Sequence, residues 1–247
     1  MKQNWFEHWF DSPLHEQLYA KRDADDADRL AGLISAHFPA REYPKLLDLA
    51  CGRGRHSINF ARRGYQVTGV DLAPTAIERA KGKAVQAGVE IDFIVGDMRQ
   101  PLDMTFDVVV NLFTSFGYFS DEAENELPIA AMSQMVRQGG QVWIDFLNPG
   151  HVVANLVPTN SGTIPGWSYN IRRWIESGAV RKEIQLIEDA TGDEQVFTEY
   201  VKLLELDWFK DISMRHGLQL RSVFGDYEGN SYDAIATPRL IMGFSRL

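Results

Sequence analysis

The chain has 247 residues, 45% of them hydrophobic and 24% charged, with a formal net charge of −9. That is the length of one large domain with at most a modest insertion, and the composition excludes a disordered tail and a fibrous repeat. Cys51 is the one cysteine, which excludes an internal disulfide. No Cys/His cluster has zinc spacing, so no metal is expected. The acidic balance argues against a general affinity for nucleic acid. Met1 to Leu14 lacks the apolar core of a signal peptide, and no run approaches the roughly 18–20 apolar residues of a membrane span. A cytoplasmic location without a membrane partner is expected.

At the amino end Trp5, Phe6, Trp9 and Phe10 recur at helical spacing, and Asp23 to Phe38 places Leu30, Leu33, Ile34 and Phe38 on one side. Residues 1–40 therefore read as a helical cap. Lys45 to Ala50 is a short apolar strand that runs into glycines, and Arg55 to Arg63 reads as a helix. Tyr65 to Val70 is a second strand; Pro74 to Gln86 is a helix with Gly88 beyond its end. Val89 to Val95 and Phe106 to Phe113 are further strands. Glu122 to Arg137 is a helix stopped by Gly139 and Gly140, and Gln141 to Leu147 is a fifth strand. Short apolar strands alternating with helices predict an α/β fold with a parallel sheet, here over residues 41–150.

After Pro149 the pattern changes to period two. Tyr169 to Glu176, Val180 to Glu188 and Gln195 to Glu205 alternate apolar with charged residues, as in Arg181, Glu183 and Gln185 against Val180, Ile184 and Leu186. This predicts an antiparallel β insertion over residues 151–206, with turns at Gly178 and Gly192. It would roof an acceptor or meet a second copy, with Tyr169, Arg172, Arg173 and Trp174 as contacts in either case. Residues 207–247 supply a helix, Asp207 to Arg215, and two closing strands, Leu218 to Tyr227 and Arg239 to Arg246.

The most informative stretch is Leu46-Leu47-Asp48-Leu49-Ala50-Cys51-Gly52-Arg53-Gly54-Arg55-His56. Two glycines one residue apart, between strand and helix, let the backbone pass close to a ligand and aim helix-end amides at a negative group. Asp71 lies nineteen positions after Gly52, at the end of the second strand, where a carboxylate can take both ribose hydroxyls. A dinucleotide would place a pyrophosphate at this loop and ask for a third glycine, where Ser57 stands. Asp48 would repel that pyrophosphate but suits a ligand carrying an ammonium group.

Asp48-Leu49-Ala50-Cys51-Gly52-Arg53-Gly54 resembles the first motif of the class I S-adenosylmethionine-dependent methyltransferases, and Asp71 matches their ribose-binding acid. Gly96-Asp97-Met98 is similar to their adenine-contacting segment, with Leu72 and Met98 suited to sandwich the ring. Asn111-Leu112-Phe113 matches the position beside the donor's methionine half. The likeness covers Lys45 to Asn148 and extends, through Phe113-Thr114-Ser115-Phe116-Gly117-Tyr118, to small-molecule members that methylate sugars or amines. It implies a mostly parallel Rossmann-like sheet with the last strand antiparallel, S-adenosyl-L-methionine as donor and S-adenosyl-L-homocysteine as product. It also implies an amino-terminal region folded over the donor, with Tyr19 and Arg22 at the donor's carboxylate.

Acceptor chemistry is expected at the carboxyl ends of the fourth and fifth strands, near Tyr118, Asp145, Asn148 and His151. Tyr118 and Phe116 are candidates to line the acceptor pocket, and His151 is the candidate general base. Enzymes that methylate nucleic-acid amino groups resemble one another in an Asn or Asp followed by two prolines after the fourth strand. Here that slot reads Asn111-Leu112-Phe113-Thr114. The expected reaction is therefore methyl transfer to a small molecule, through nitrogen in preference to oxygen, by a monomer or homodimer. Two alternatives stay open at the level of sequence: an NAD(P)-dependent oxidoreductase on a similar sheet, and a module that binds the donor without catalysis.

Overall fold

The computed structural model describes residues 5–19 and 24–247. In chain order the elements are α1 (Trp5–Asp11), α2 (Pro13–Leu18), α3 (Ala24–His37), β1 (Lys45–Leu49), α4 (Arg55–Arg62), β2 (Gln66–Asp71), α5 (Pro74–Ala87), β3 (Ile91–Val95) and β4 (Phe106–Asn111). There follow α6 (Glu122–Met135), β5 (Val136–Leu147), α7 (Pro149–Asn155), β6 (Thr159–Ile164), β7 (Trp167–Glu176), β8 (Ala179–Glu188), β9 (Glu194–Lys202), α8 (Leu206–Arg215), β10 (Leu218–Phe224) and β11 (Arg239–Arg246).

Seven strands form one sheet in the order β10-β11-β5-β4-β1-β2-β3. The strands from β1 to β5 pair in parallel, and β11 runs antiparallel to both β5 and β10. Successive residues of the central strands enter opposite cores. Leu47, Leu49 and Val109 pack with Ile144 and Phe146 on one face. Leu46, Val108 and Val110 pack with Trp143, and with Leu30 and Ile34 of α3, on the other. This is why these strands read as unbroken apolar runs. The chain moves outward from β1 to β3 and then returns to β4 on the far side of β1. That reversal opens a crevice at the carboxyl ends of β1 and β4, where open α/β sheets bind ligands.

The second sheet, β6-β7-β8-β9, is antiparallel throughout. Its inner face packs on the amino-terminal helices through Ile171, Ile184 and Leu186 against Trp9 and Leu14. Trp9 is fully buried, with its ring centroid 4.4 Å from that of Phe197.

Three details differ from the sequence reading. The helix after β4 ends at Met135, and Gly139 and Gly140 lie inside β5 rather than stopping the helix. The register there shifts from Phe106↔Val136 to Val108↔Gln141, and a Cβ on Gly140 would fall 2.8 Å from the carbonyl oxygens of Arg137 and Asp107. The glycines thus admit a bulge. Helix α7 was not foreseen, although Asn148 caps it by accepting from Gly150 N at 3.2 Å and Pro149 fills its first turn. Strand β6 is polar and largely exposed, so no apolar alternation announces it.

Among the described residues no helix is long and apolar enough to cross a membrane. No group of three or more His, Cys, Asp or Glu among them could hold a metal ion.

Candidate active site

Between β1 and α4 the backbone turns through three left-handed residues: Ala50 (φ 63°), Gly52 (φ 55°) and Gly54 (φ 74°). The two glycines serve different ends. A Cβ on Gly52 would have no heavy atom within 4 Å, because that face is open, whereas one on Gly54 would sit 2.9 Å from the Phe93 ring and 3.1 Å from Ala80 Cβ. Gly52 therefore leaves room for a ligand, and Gly54 lets the loop pack onto β3 and α5. Asp71 accepts from Gly52 N at 2.7 Å and from Ala73 N at 2.9 Å, which fixes the carboxylate against the loop.

A cavity of about 480 Å3 opens here, beneath α1 and α2. Of the expected donor residues it is lined by Tyr19, Ala50, Gly52, Asp71 and Phe113, together with Tyr118. Arg53, Arg55 and His56 also line it. Burial, reinforced by Arg55 and Arg239, pushes His56 down to about 3, so the imidazole is neutral. His56 Nε2 and Arg53 Nε are buried and make no hydrogen bond among the described residues. An open glycine face, an anchored carboxylate, an unpartnered His56 Nε2 and an Arg53 whose Nε has Glu16 Oε2 at 3.8 Å fit a ligand with a ribose and an amino-acid headgroup.

Several expected donor residues lie outside this lining. Asp48 is fully buried behind the loop and accepts from Ser57 Oγ at 2.5 Å, the first turn of α4 having turned that hydroxyl toward it. Direct contact between Asp48 and a donor ammonium is thus corrected: its influence on the cavity passes through the loop. Burial raises its pKa to about 6, with the Asp71 charge acting in the same direction against the Ser57 hydrogen bond. An acid whose folded pKa exceeds its unfolded value opposes folding once ionised, so stability falls as pH rises from about 4 through 6. Asp48→Asn, which keeps an acceptor for Ser57, should gain on the wild type across that window by up to about 3 kcal/mol. Parallel urea melts at pH 4 and pH 7.5 would check this; an equal difference at both pH values contradicts it.

Gly54 packs rather than lines, and Leu72 is exposed and outside the lining. Asp97 is taken up by Arg99, whose backbone N lies at 2.9 Å and side-chain Nε at 3.0 Å. Against the effect of its burial, those bonds hold its pKa below the usual value. Asn111 is buried and donates to Leu49 O at 3.0 Å, with Met98 Sδ at 4.0 Å, and its Oδ1 is unpartnered. Arg22 lies outside the described residues. Cys51 is buried, and burial pushes its thiol well above the ordinary range, which leaves it no part as a nucleophile.

The loop after β4 is strained, Phe113 (φ 59°) and Thr114 (φ 62°) both being left-handed non-glycine residues. Asp145 braces it. Its Oδ2 accepts from Phe113 N at 2.9 Å and its backbone carbonyl accepts from Thr114 N at 2.9 Å. Arg239 completes the brace, donating from Nε to Asp145 Oδ1 at 2.8 Å and from Nη2 to Thr114 Oγ1 at 3.0 Å. Tyr227 adds its hydroxyl to Asp145 Oδ2 at 3.2 Å. Asp145 and Asn148 are therefore structural: Asn148 donates to the carbonyls of Asp233 and Thr237 at 2.8 and 2.7 Å. Phe116 is likewise not a pocket residue, being buried in the core 5.3 Å from the Phe209 ring.

The two candidate catalytic residues face different spaces. Tyr118 lines the first cavity and donates its hydroxyl to Thr114 O at 2.8 Å. His151, on α7, lines a second cavity of about 620 Å3 between the core and the antiparallel sheet, together with Thr114, Leu147, Arg173, Lys182 and Glu199. Its Nδ1 lies 3.1 Å from Ile235 O. A partition joins the two spaces: Glu199 Oε1 accepts from Tyr19 OH at 2.6 Å and from Trp9 Nε1 at 2.7 Å, and Lys182 reaches both Glu199 and the Tyr19 hydroxyl.

Lys182 and Glu199 were missed. The clue was present, since Lys182 occupies the same side of β8 as Val180, Ile184 and Leu186, a charge in an apolar slot. Arg172 and Trp174 stand on the opposite face of β7 from Arg173 and stack on each other at 5.0 Å, away from the cavity.

A family model described as a methyltransferase domain matches residues 46–140. The chain is 27% identical over 181 residues to the dTDP-3-amino-3,4,6-trideoxy-alpha-D-glucopyranose N,N-dimethyltransferase of Streptomyces venezuelae, covering 69% of this chain and 73% of that one. It is 34% identical over 148 residues to a ubiquinone biosynthesis O-methyltransferase of Chromobacterium violaceum, covering 57% and 58%. Among solved structures, an S-adenosylmethionine-dependent methyltransferase from Clostridium acetobutylicum superposes with a TM-score of 0.80 at 16% identity, over 94% of this chain and 96% of that one. The sugar N-methyltransferase KedS8 from a Streptoalloteichus species superposes with a TM-score of 0.75 at 20% identity, over 93% and 90%. The structures establish the fold, with its mostly parallel sheet and added antiparallel layer. With a methyltransferase domain over residues 46–140 and the fold of S-adenosylmethionine-dependent methyltransferases, the chain is a methyltransferase.

Proposed function

We propose that the enzyme methylates a nitrogen of a small molecule held in the cavity of about 620 Å3, with the donor in the neighbouring cavity of about 480 Å3. The observation that carries this reading is the shared wall. Thr114 lines one space and its chain neighbours Phe113 and Ser115 line the other, while Tyr19 of the first bonds Lys182 and Glu199 of the second. A roofed space of this size suits a metabolite rather than a polymer. Nitrogen is favoured over oxygen by the likeness to a sugar N,N-dimethyltransferase over most of both chains.

When bound, S-adenosylmethionine supplies a methyl group already activated on a sulfonium. The chain's own work is to hold, orient and deprotonate. On this reading Asp71 takes the ribose, Ala50, Gly52 and the loop leading into α4 take the amino-acid end, and α1 and α2 cover the donor. Tyr118 has its hydroxyl proton committed to Thr114 O and serves as a wall. His151 Nδ1 lies 3.1 Å from Ile235 O and 3.3 Å from Asn155 Nδ2, while its Nε2 makes no hydrogen bond among the described residues. We assign that nitrogen the proton released by an ammonium acceptor.

Calorimetry should show saturable heat with S-adenosylhomocysteine and none with NADH. Labelled donor offered with panels of small amines and small alcohols should place label on an amine. Label on alcohols alone, with S-adenosylhomocysteine bound, overturns the nitrogen assignment. His151→Ala should lower kcat by about 10²- to 10⁴-fold. Unchanged turnover across pH removes His151 from the reaction.

A further inference from the structure

Three strands of the insertion present a charged row to the interior. Arg173 on β7 pairs across with Lys182 on β8, and Lys182 pairs across with Glu199 on β9. On the same face, two residues along in one direction, lies Ile171–Ile184–Phe197, packed on the amino-terminal helices. In the other direction lies Ile175–Val180–Val201, the last two lining the second cavity. A sheet with one dry face would fill this row with apolar side chains. Here three charges stand over a cavity instead, an arrangement that packing alone does not reward.

The row is not self-neutralised. Glu199 is occupied by Trp9, Tyr19 and Lys182. Arg173 spends Nη1 on Asn160 Oδ1 at 2.6 Å, and its Nε and Nη2 make no hydrogen bond among the described residues. Two cations face one carboxylate, which leaves the row one positive charge in excess at the cavity wall. Burial lowers the pKa of both Arg173 and Lys182, as expected of cations drawn out of water. A guanidinium with an unused edge is shaped to take two oxygens of a carboxylate or a phosphate.

We propose that the acceptor is an anion, bearing a carboxylate or a phosphate group that Arg173 holds beside Lys182 while its nucleophilic nitrogen points toward the shared wall. This rests on the reading of the second cavity as the acceptor site. It narrows the substrate to zwitterions and anionic amines, and sets aside neutral or purely cationic amines.

The test is calorimetry on the full chain saturated with S-adenosylhomocysteine, titrated with sodium phosphate and with sodium acetate at constant ionic strength. At least one anion should bind saturably in the millimolar range, and Arg173→Ala should weaken it about tenfold or more. Arg172→Ala, one residue away on the outer face, should match the wild type. Arg173→Gln, which keeps a donor for Asn160 but no charge, should behave like Arg173→Ala and serves if the latter does not fold. Binding of phosphate alone indicates a phosphate ester, of acetate alone a carboxylate, and both outcomes support the proposal. Absence of saturable binding up to about 50 mM, or equal binding by the Arg173 variants, overturns it. Failure of the initial S-adenosylhomocysteine saturation would instead strike the donor reading, so the two are separable.

Discussion

Arg239→Ala should lose roughly 3–5 kcal/mol of folding stability, because it leaves a buried carboxylate without its counter-charge. Asp145 is fully buried and the Arg239 side chain is 17% exposed, which places the loss toward the lower end of that range. The effect should not stop at stability. Asp145 and Arg239 brace the left-handed backbone of Phe113 and Thr114, which line the two cavities. Relaxation of that loop should weaken S-adenosylhomocysteine binding as well as lower the denaturation midpoint. The double variant Arg239→Ala with Asp145→Ala should lose less than the sum of the singles, since the second change removes the stranded charge. Wild-type midpoint and affinity in Arg239→Ala would mean that the brace carries no weight.

The second large effect separates the two glycines of the loop. Gly54→Ala combines a left-handed alanine, about 1–2 kcal/mol, with overpacking against Phe93 and Ala80, about 1–3 kcal/mol. It should therefore destabilise the fold by about 2–5 kcal/mol. Gly52→Ala meets open space, so its stability cost is confined to the backbone penalty of about 1–2 kcal/mol. Its new methyl enters the donor's space, however, and affinity for S-adenosylhomocysteine should fall by more than the stability does. Urea denaturation and calorimetry on the two variants give four numbers. The reverse ranking would contradict the division of labour between close packing at Gly54 and ligand clearance at Gly52.

What could be read from the sequence was what depends on neighbours along the chain. Strands β1 and β4 declared themselves because burial on both faces leaves no polar residue to interrupt Leu46-Leu47 or Val108-Val109-Val110. The glycine loop and Asp71 are linked by one strand–helix–strand unit, so their spacing carries their geometry. What escaped depends on distant partners. Asp145 and Arg239 are 94 residues apart and meet only because β11 inserts beside β5. The direction taken by Asp48 is set by Ser57 on the following helix, and no spacing rule distinguishes that from a side chain aimed at a ligand. Lys182 and Glu199 were hidden by averaging, since a single inward charge barely disturbs a period-two pattern. Phe116 looked like a pocket aromatic because of its neighbours in sequence, whereas the fold buries it against α8.

Glu199 has a kinetic consequence. By holding Trp9 of α1, Tyr19 beyond α2 and Lys182 of β8 at once, it makes the cover of one chamber and the ceiling of the other parts of a single latch. Hydrogen bonds to a charged group are worth about 1.5–3 kcal/mol each, so lifting either cover strains the other. On the proposed assignment of the two cavities, egress of spent donor and release of methylated product would share one opening event.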